Sequence, residues 1–218
     1  MRTATLTTNS RNYGAWSLRS WLLCKLAGLD FEECVTASDD PSARAELLML
    51  SPSFLVPSLD HDGVRVWDTI AIAEHLQEQF PDAGLLPGDP VARAHCRSIC
   101  GEMHSGFYGL RSALPMNIKR RFKDFKVWAG AQSDIERVCA IWGSCLDNYG
   151  GPWLFGAAPT AADAMFAPEA TRFVTYSVSC DDACAAYIDT VLAWAPMVEW
   201  LAGAESEVDQ LAELECEF

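Results

Sequence analysis

The sequence predicts an α/β unit followed by an all-α unit, and two observations carry that division. The first 80 or so residues alternate short strand-like and helix-like stretches, whereas beyond residue 90 strand signal almost vanishes. Between the two lies PDAGLLPGDP, whose proline, glycine and aspartate content marks a connection. The expected division is residues 1–82, a linker over 83–90, and residues 91–218.

The elements follow in order. Thr3–Thr8 alternates as a short strand, and Ala15–Leu26 is a strongly apolar helix closed by Gly28. Phe31–Val35 reads as a second strand, and Pro41–Leu50 as a helix with its proline in the first turn. Ser58–Leu59 and Val64–Val66 form a hairpin around His61-Asp62-Gly63. Just before it, Val56-Pro57 places a proline in a strand-like run. A proline there forfeits a ladder donor, so it belongs at a strand start or a special turn and is a candidate cis peptide. Asp68 and Thr69 are good N-caps and open a helix over Thr69–Phe80, with free N–H groups suited to an anionic ligand.

In the second half, Val91–Leu114 reads as one long helix. Ser133–Tyr149 reads as another, stopped by Gly150-Gly151-Pro152. Thr160-Ala-Ala-Asp163 is a capping-box-like start of a helix to about Tyr176. Helices over Asp181–Trp194 and Pro196–Ala202 complete the bundle.

Composition excludes several classes of function. The chain has 218 residues with 30 acidic against 16 basic side chains, a net charge of −14. Nucleic acid and anionic membrane surfaces are poor partners for such a surface. An anionic small ligand needs local compensation, for which Arg11, Arg19, Arg65 and Arg111 are available. No apolar run is long enough to span a bilayer, and the N-terminal residues lack a signal-peptide pattern, so a cytoplasmic location is expected. The nine cysteines are scattered, without a C-x-x-C pair, and read as reduced, mostly buried thiols. His95, Cys96, Cys100 and His104 spread around their helix, so no metal site is expected.

The run Ser51-Pro-Ser-Phe-Leu-Val56-Pro57-Ser-Leu59, the hairpin after it and the acidic–Thr pair at 68–69 together resemble the glutathione-binding half of the glutathione S-transferases. The element order resembles their thioredoxin-like domain, and the helical second half, with Gly156 and Thr160-x-x-Asp163, resembles theirs as a folding determinant. Residues 102–117, EMHSGFYGLRSALPMN, resemble a signature of a bacterial serine-type branch. The resemblance implies a homodimeric enzyme that activates the glutathione thiol for attack on a small electrophile. It also admits a specialised thiol-transfer, ether-cleaving or isomerase enzyme, and a non-catalytic binding protein.

By the same resemblance, Val56 and Pro57 face the cysteinyl part of glutathione, and Asp68 and Thr69 hold its γ-glutamyl end. Leu55 stands where many relatives carry Lys or Arg. The branch typically reads Asn-Tyr-Ser-Ser-Trp-Ser-Leu-Arg, so its two expected serines are Gly14 and Ala15 in this chain. A thiol of pKa about 8.5 needs a hydrogen bond or a helix N-terminus to ionise at neutral pH. Ser17, Tyr13, Trp16 and the backbone amides of 15–17 are the candidates for that role. The second substrate is expected against Met103, His104, Phe107, Tyr108 and Arg111, the last four at i, i+3, i+4, i+7 spacing.

Overall fold

β1 (Ala4–Thr8) pairs parallel with β2 (Phe31–Val35) and antiparallel with β3 (Ser58–His61). β3 in turn pairs antiparallel with β4 (Val64–Trp67), giving the sheet order β2-β1-β3-β4. The computed structural model describes residues 4–36, 56–123 and 125–208 together with Leu211, Leu214 and Glu215. The helix expected over Pro41–Leu50, Leu55 and Cys216 lie outside the described residues. α1 (Ala15–Leu26) and α2 (Thr69–Gln79) complete this unit. Leu6, Leu18, Leu22, Leu59, Ile72 and Leu76 are wholly withdrawn from water within its core.

The second unit contains α3 (Pro90–Ser105), α4 (Tyr108–Ala113), α5 (Ala129–Tyr149), α6 (Ala161–Thr175), α7 (Asp182–Leu192) and α8 (Ala195–Ser206). The single helix expected over Val91–Leu114 is in fact two. At Gly106 an added Cβ would meet the Glu102 carbonyl oxygen at 2.7 Å, and Phe107 takes a left-handed φ of 57°. The chain is therefore redirected between α3 and α4, and the expected i, i+3, i+4, i+7 stripe does not run unbroken across the turn.

α6 is the buried axis of the molecule. Its start follows the capping-box expectation: the Thr160 amide donates to Asp163 Oδ2 at 2.7 Å, and Leu154 N and Tyr187 Oη donate to Oδ1. Burial pushes this carboxyl up from its usual range, while those donors pull the other way. Fourteen of its residues are buried, and α1 packs along it. Polar side chains cross that contact. Arg19 donates from Nε to the Met165 carbonyl at 2.7 Å and from Nη2 to both oxygens of Glu169 at 2.9 Å, with both side chains fully buried. Arg172 shares the same carboxylate at 2.6 Å and donates from Nε to the Leu114 carbonyl.

A second seam lies at the β1–α1 turn. The Asn12 side chain donates to Asn117 Oδ1 at 3.1 Å and accepts from Lys119 N at 3.0 Å, while Trp200 Nε1 donates to the Arg11 carbonyl. Arg11 pairs with Glu33 and lies over the rings of Trp21 and Trp200. It is held by the protein itself.

Removing one member of a buried ion pair leaves an uncompensated charge, at a cost of about 3–5 kcal/mol. Glu169→Met is therefore expected to lower unfolding stability by that amount in urea titrations. A loss below about 1 kcal/mol would show that Arg19 can find water or another acceptor.

Candidate active site

The hairpin register positions the first wall. Ser58, the first residue of β3, pairs with Trp67, the last of β4, so the cis Val56-Pro57 bond lies alongside the start of α2. Val56 is buried there. Asp68 has a φ of 76°, a strained value for a residue with a side chain and the kind of strain that clusters at ligand sites. Its Oδ1 accepts from Ile70 N at 2.9 Å and Ala71 N at 3.3 Å, capping α2. Its Oδ2 lies 3.2 Å from His104 Nε2, with 44% of the side chain exposed. Burial disfavours the charged form, but His104 and the two amides outweigh it and hold the carboxyl below its ordinary range. Thr69 is buried and accepts from Ser20 Oγ at 3.3 Å, tying α2 to α1.

The start of α1 forms the second wall. A Cβ built on Gly14 would lie 2.0 Å from Asn9 Oδ1 and 2.4 Å from the Ser10 carbonyl oxygen. The serine expected of the branch has no room here, because the turn has folded over that space. Ser17 is buried, donates to Asn9 Oδ1 at 2.7 Å and accepts from Asn9 N at 3.0 Å. Its hydroxyl braces the turn. Tyr13 is buried beneath Leu211 and Leu214, donates to Glu215 and accepts from Leu211 N. Burial, and then the Glu215 carboxylate, push its phenol up to about 12. α1 begins with no side-chain cap. The first-turn amides of Trp16 and Ser17 have no acceptor within the helix and point toward its positive end.

α3 and α4 supply the third wall, and Trp16 joins it to the second. His104 meets the Trp16 ring edge-on at a centroid distance of 5.3 Å, and the Arg111 guanidinium carbon lies 5.2 Å from the same ring. Arg19 approaches that ring to 4.3 Å. Burial, and then Arg172, pull Arg111 below its usual range, and burial lowers Arg19 to about 10 despite Glu169. Of the residues expected to meet a second substrate, His104 and Arg111 gather at Trp16. Met103 and Phe107 are buried in the core, the latter edge-on to Phe166. Tyr108 acts on Arg111 and also lines an apolar cavity of about 430 Å³ together with Phe125 and Trp128.

Sequence reasoning did not pick out Glu169 and Arg172. Their signal was present: two opposite charges three apart in the otherwise apolar run FAPEATRF, and Arg19 alone in the apolar run AWSLRSWLL. Among the described residues no group of three or more His, Cys, Asp or Glu is placed to hold a metal ion, and no helix is long and apolar enough to cross a membrane.

Residues 13–79 match the family model for the glutathione S-transferase N-terminal domain. A probable maleylacetoacetate isomerase from Caenorhabditis elegans is 28% identical over 75% of this chain and 77% of its own length. Glutathione S-transferase 1 from Dianthus caryophyllus is likewise 28% identical, over 74% and 73% of the two chains. Among solved structures, a Burkholderia glutathione transferase homolog with bound glutathione superposes with a TM-score of 0.70 at 22% identity, covering 95% of this chain and 100% of that one. A maleylacetoacetate isomerase from Anaeromyxobacter dehalogenans with bound glutathione gives 0.69 at 24% identity, covering 96% and 100%.

Two outcomes are expected of this geometry. Gly14→Ser overpacks the turn, costs about 1–3 kcal/mol in urea unfolding and brings no gain in thiol activation. Equal stability with a more acidic bound thiol would show that the turn yields and the serine works. The second concerns pH. A phenol raised from 10.0 to about 12 adds stability that is fully present below pH 10 and lost as pH climbs toward 12. The stability gap between the parent and Tyr13→Phe should therefore narrow as pH rises from 10 toward 12; parallel curves would contradict the raised phenol that burial and Glu215 produce.

Proposed function

Because this chain belongs to the glutathione S-transferase family, we propose that it binds glutathione between the first two walls and ionises its thiol for attack on a small electrophile that meets the third. One observation carries the reading: His104 bridges the two helix starts, 3.2 Å from Asp68 at the head of α2 and edge-on to Trp16 in the first turn of α1. The two helix N-termini that a glutathione-like anion needs thus open onto one place.

In this reading the main chain at Val56-Pro57 aligns the cysteinyl unit. Asp68, kept ionised, accepts the γ-glutamyl ammonium, and the first turn of α2 at Thr69 faces its carboxylate. The thiol lies at the head of α1. With Gly14 in the serine's place and the Ser17 hydroxyl held by Asn9, the groups left to favour the thiolate are the amides of Trp16 and Ser17 with the helix dipole, and beside them the Trp16 indole N–H. The proton leaves to solvent and the sulfur lone pair forms the bond to carbon as that carbon's π bond, or its bond to a leaving group, breaks and the displaced pair goes to the substrate's acceptor atom or departs with the leaving group. His104 positions Asp68, and Tyr13 anchors the turn. The family's usual homodimer is part of the proposal.

A second form of the same chemistry is favoured by the names of several relatives, which are maleylacetoacetate isomerases. There the thiolate would add to an activated double bond and leave again after rotation, so that glutathione is not consumed. Following substrate and glutathione together separates the two forms.

The test is calorimetric titration with glutathione, then thiolate absorbance of the complex against pH. Binding with a thiol pKa clearly below about 8.5 is expected. Asp68→Asn isolates the carboxylate, because asparagine caps a helix as well and tolerates positive φ. The variant should keep its melting temperature and bind glutathione at least about tenfold more weakly, as loss of a charge-assisted bond implies. Unchanged affinity would remove Asp68 from the site, and no binding by the parent would leave only a scaffold.

A further inference from the structure

On a chain of net charge −14, two guanidinium groups lie against one ring: Arg19 and Arg111 both meet Trp16, and Arg172 acts on each of them. Among the described residues, Glu169 acts on both arginines and Asp134 and Tyr108 on Arg111. Glu169 is fully engaged, since Arg19 and Arg172 occupy its oxygens. Asp134 gives Oδ2 to the Leu110 amide. Among the described residues two guanidinium nitrogens are buried with no partner, Arg19 Nη1 and Arg111 Nε. Arg19 is wholly enclosed, whereas Arg111 is only partly covered, with its guanidinium carbon 5.2 Å from the Trp16 ring.

We propose that Arg111, with Arg19 behind it and braced on Trp16, seats a carboxylate carried by the electrophilic substrate. A guanidinium fork matches a carboxylate in shape as well as charge. Glu169 is shared between Arg19 and Arg172, so the guanidinium that remains to meet a substrate carboxylate is that of Arg111. The α1 start that would hold the thiolate begins one residue before Trp16, so the carboxylate and the reacting carbon belong to one small molecule. This assignment rests on the glutathione reading above.

Two glutathione conjugates of the same shape test it by calorimetry on the full chain: S-carboxyethyl-glutathione, with the charge, and S-carbamoylethyl-glutathione, without it. The charged conjugate is expected to bind at least about tenfold tighter. Arg111→Met should abolish that preference while glutathione affinity stays within about twofold, and Arg111→Lys, which keeps the charge, should retain part of it. Equal affinities in the parent would overturn the proposal. So would an Arg111→Met variant that weakens glutathione and both conjugates alike, since the arginine would then be serving the tripeptide or the fold. If none of the three binds, the glutathione reading itself fails. Benzoate, titrated at constant ionic strength against tryptophan fluorescence, then decides: a saturable change lost in Arg111→Met upholds the carboxylate seat, and no difference between the two proteins removes it.

Discussion

Everything at the candidate site is referred to α1, and α1 is held in place by a guanidinium that never meets water. Arg19 reaches from the middle of that helix to Glu169 on the buried axis α6, making two bonds of 2.9 Å to the carboxylate and one of 2.7 Å to the Met165 carbonyl. A buried pair of this kind adds little net stability over an apolar contact of the same shape, because desolvation takes back most of the Coulomb attraction. What it adds is direction. Apolar side chains of α1 could slide along α6 at small cost, but a bidentate bond permits one register. That register decides where the first-turn amides of α1 point, and where Trp16 stands between Arg111 and His104.

The turn before α1 obeys the same constraint from the other end. Asn9 fills the place where a side chain at 14 would go, and it does so while bracing Ser17. Asn12 and Tyr13 are tied to partners about 100 and 200 residues further along. A turn bonded on all sides is rigid, and a rigid turn presents preorganised amides. Amides that need not reorient favour a developing anion more effectively than a hydroxyl free to rotate. The glycine that looked like a missing catalytic group thus stands where packing leaves no space for a side chain, and in the proposed reading the backbone beside it takes that part.

How far the sequence disclosed this follows from the range of the interactions involved. The strands, the bounds of α1, the hairpin, the cis bond at Val56-Pro57 and the capping of α2 and α6 were all legible, since each depends on residues a few positions apart. The break between α3 and α4 was legible only in part. Gly106 permits it, but the left-handed Phe107 is held by a core that no local pattern describes. Roles for Ser17 and Tyr13 could not be read at all from spacing. A hydroxyl at a helix start serves a ligand or the backbone with equal ease, and only the folded turn decides between them.

Charge shows the same division with a sharper consequence. Summed along the chain, the sequence describes a protein that should repel anions. Folding overturns that average locally, because Arg19, Arg111 and Arg172 come from three separate helices and meet where few carboxylates follow. Since the effective dielectric falls with burial, a guanidinium edge with no partner in this place outweighs many acidic residues dispersed in water. The excess of surface carboxylates then has a part of its own: it weakens general attraction for anions and leaves one enclosed place where a small acid is favoured. Selectivity of that kind arises from contrast between the site and the surface around it, and in this chain the proposed seat, Arg111, shares the Trp16 ring with the arginine that sets the register of α1.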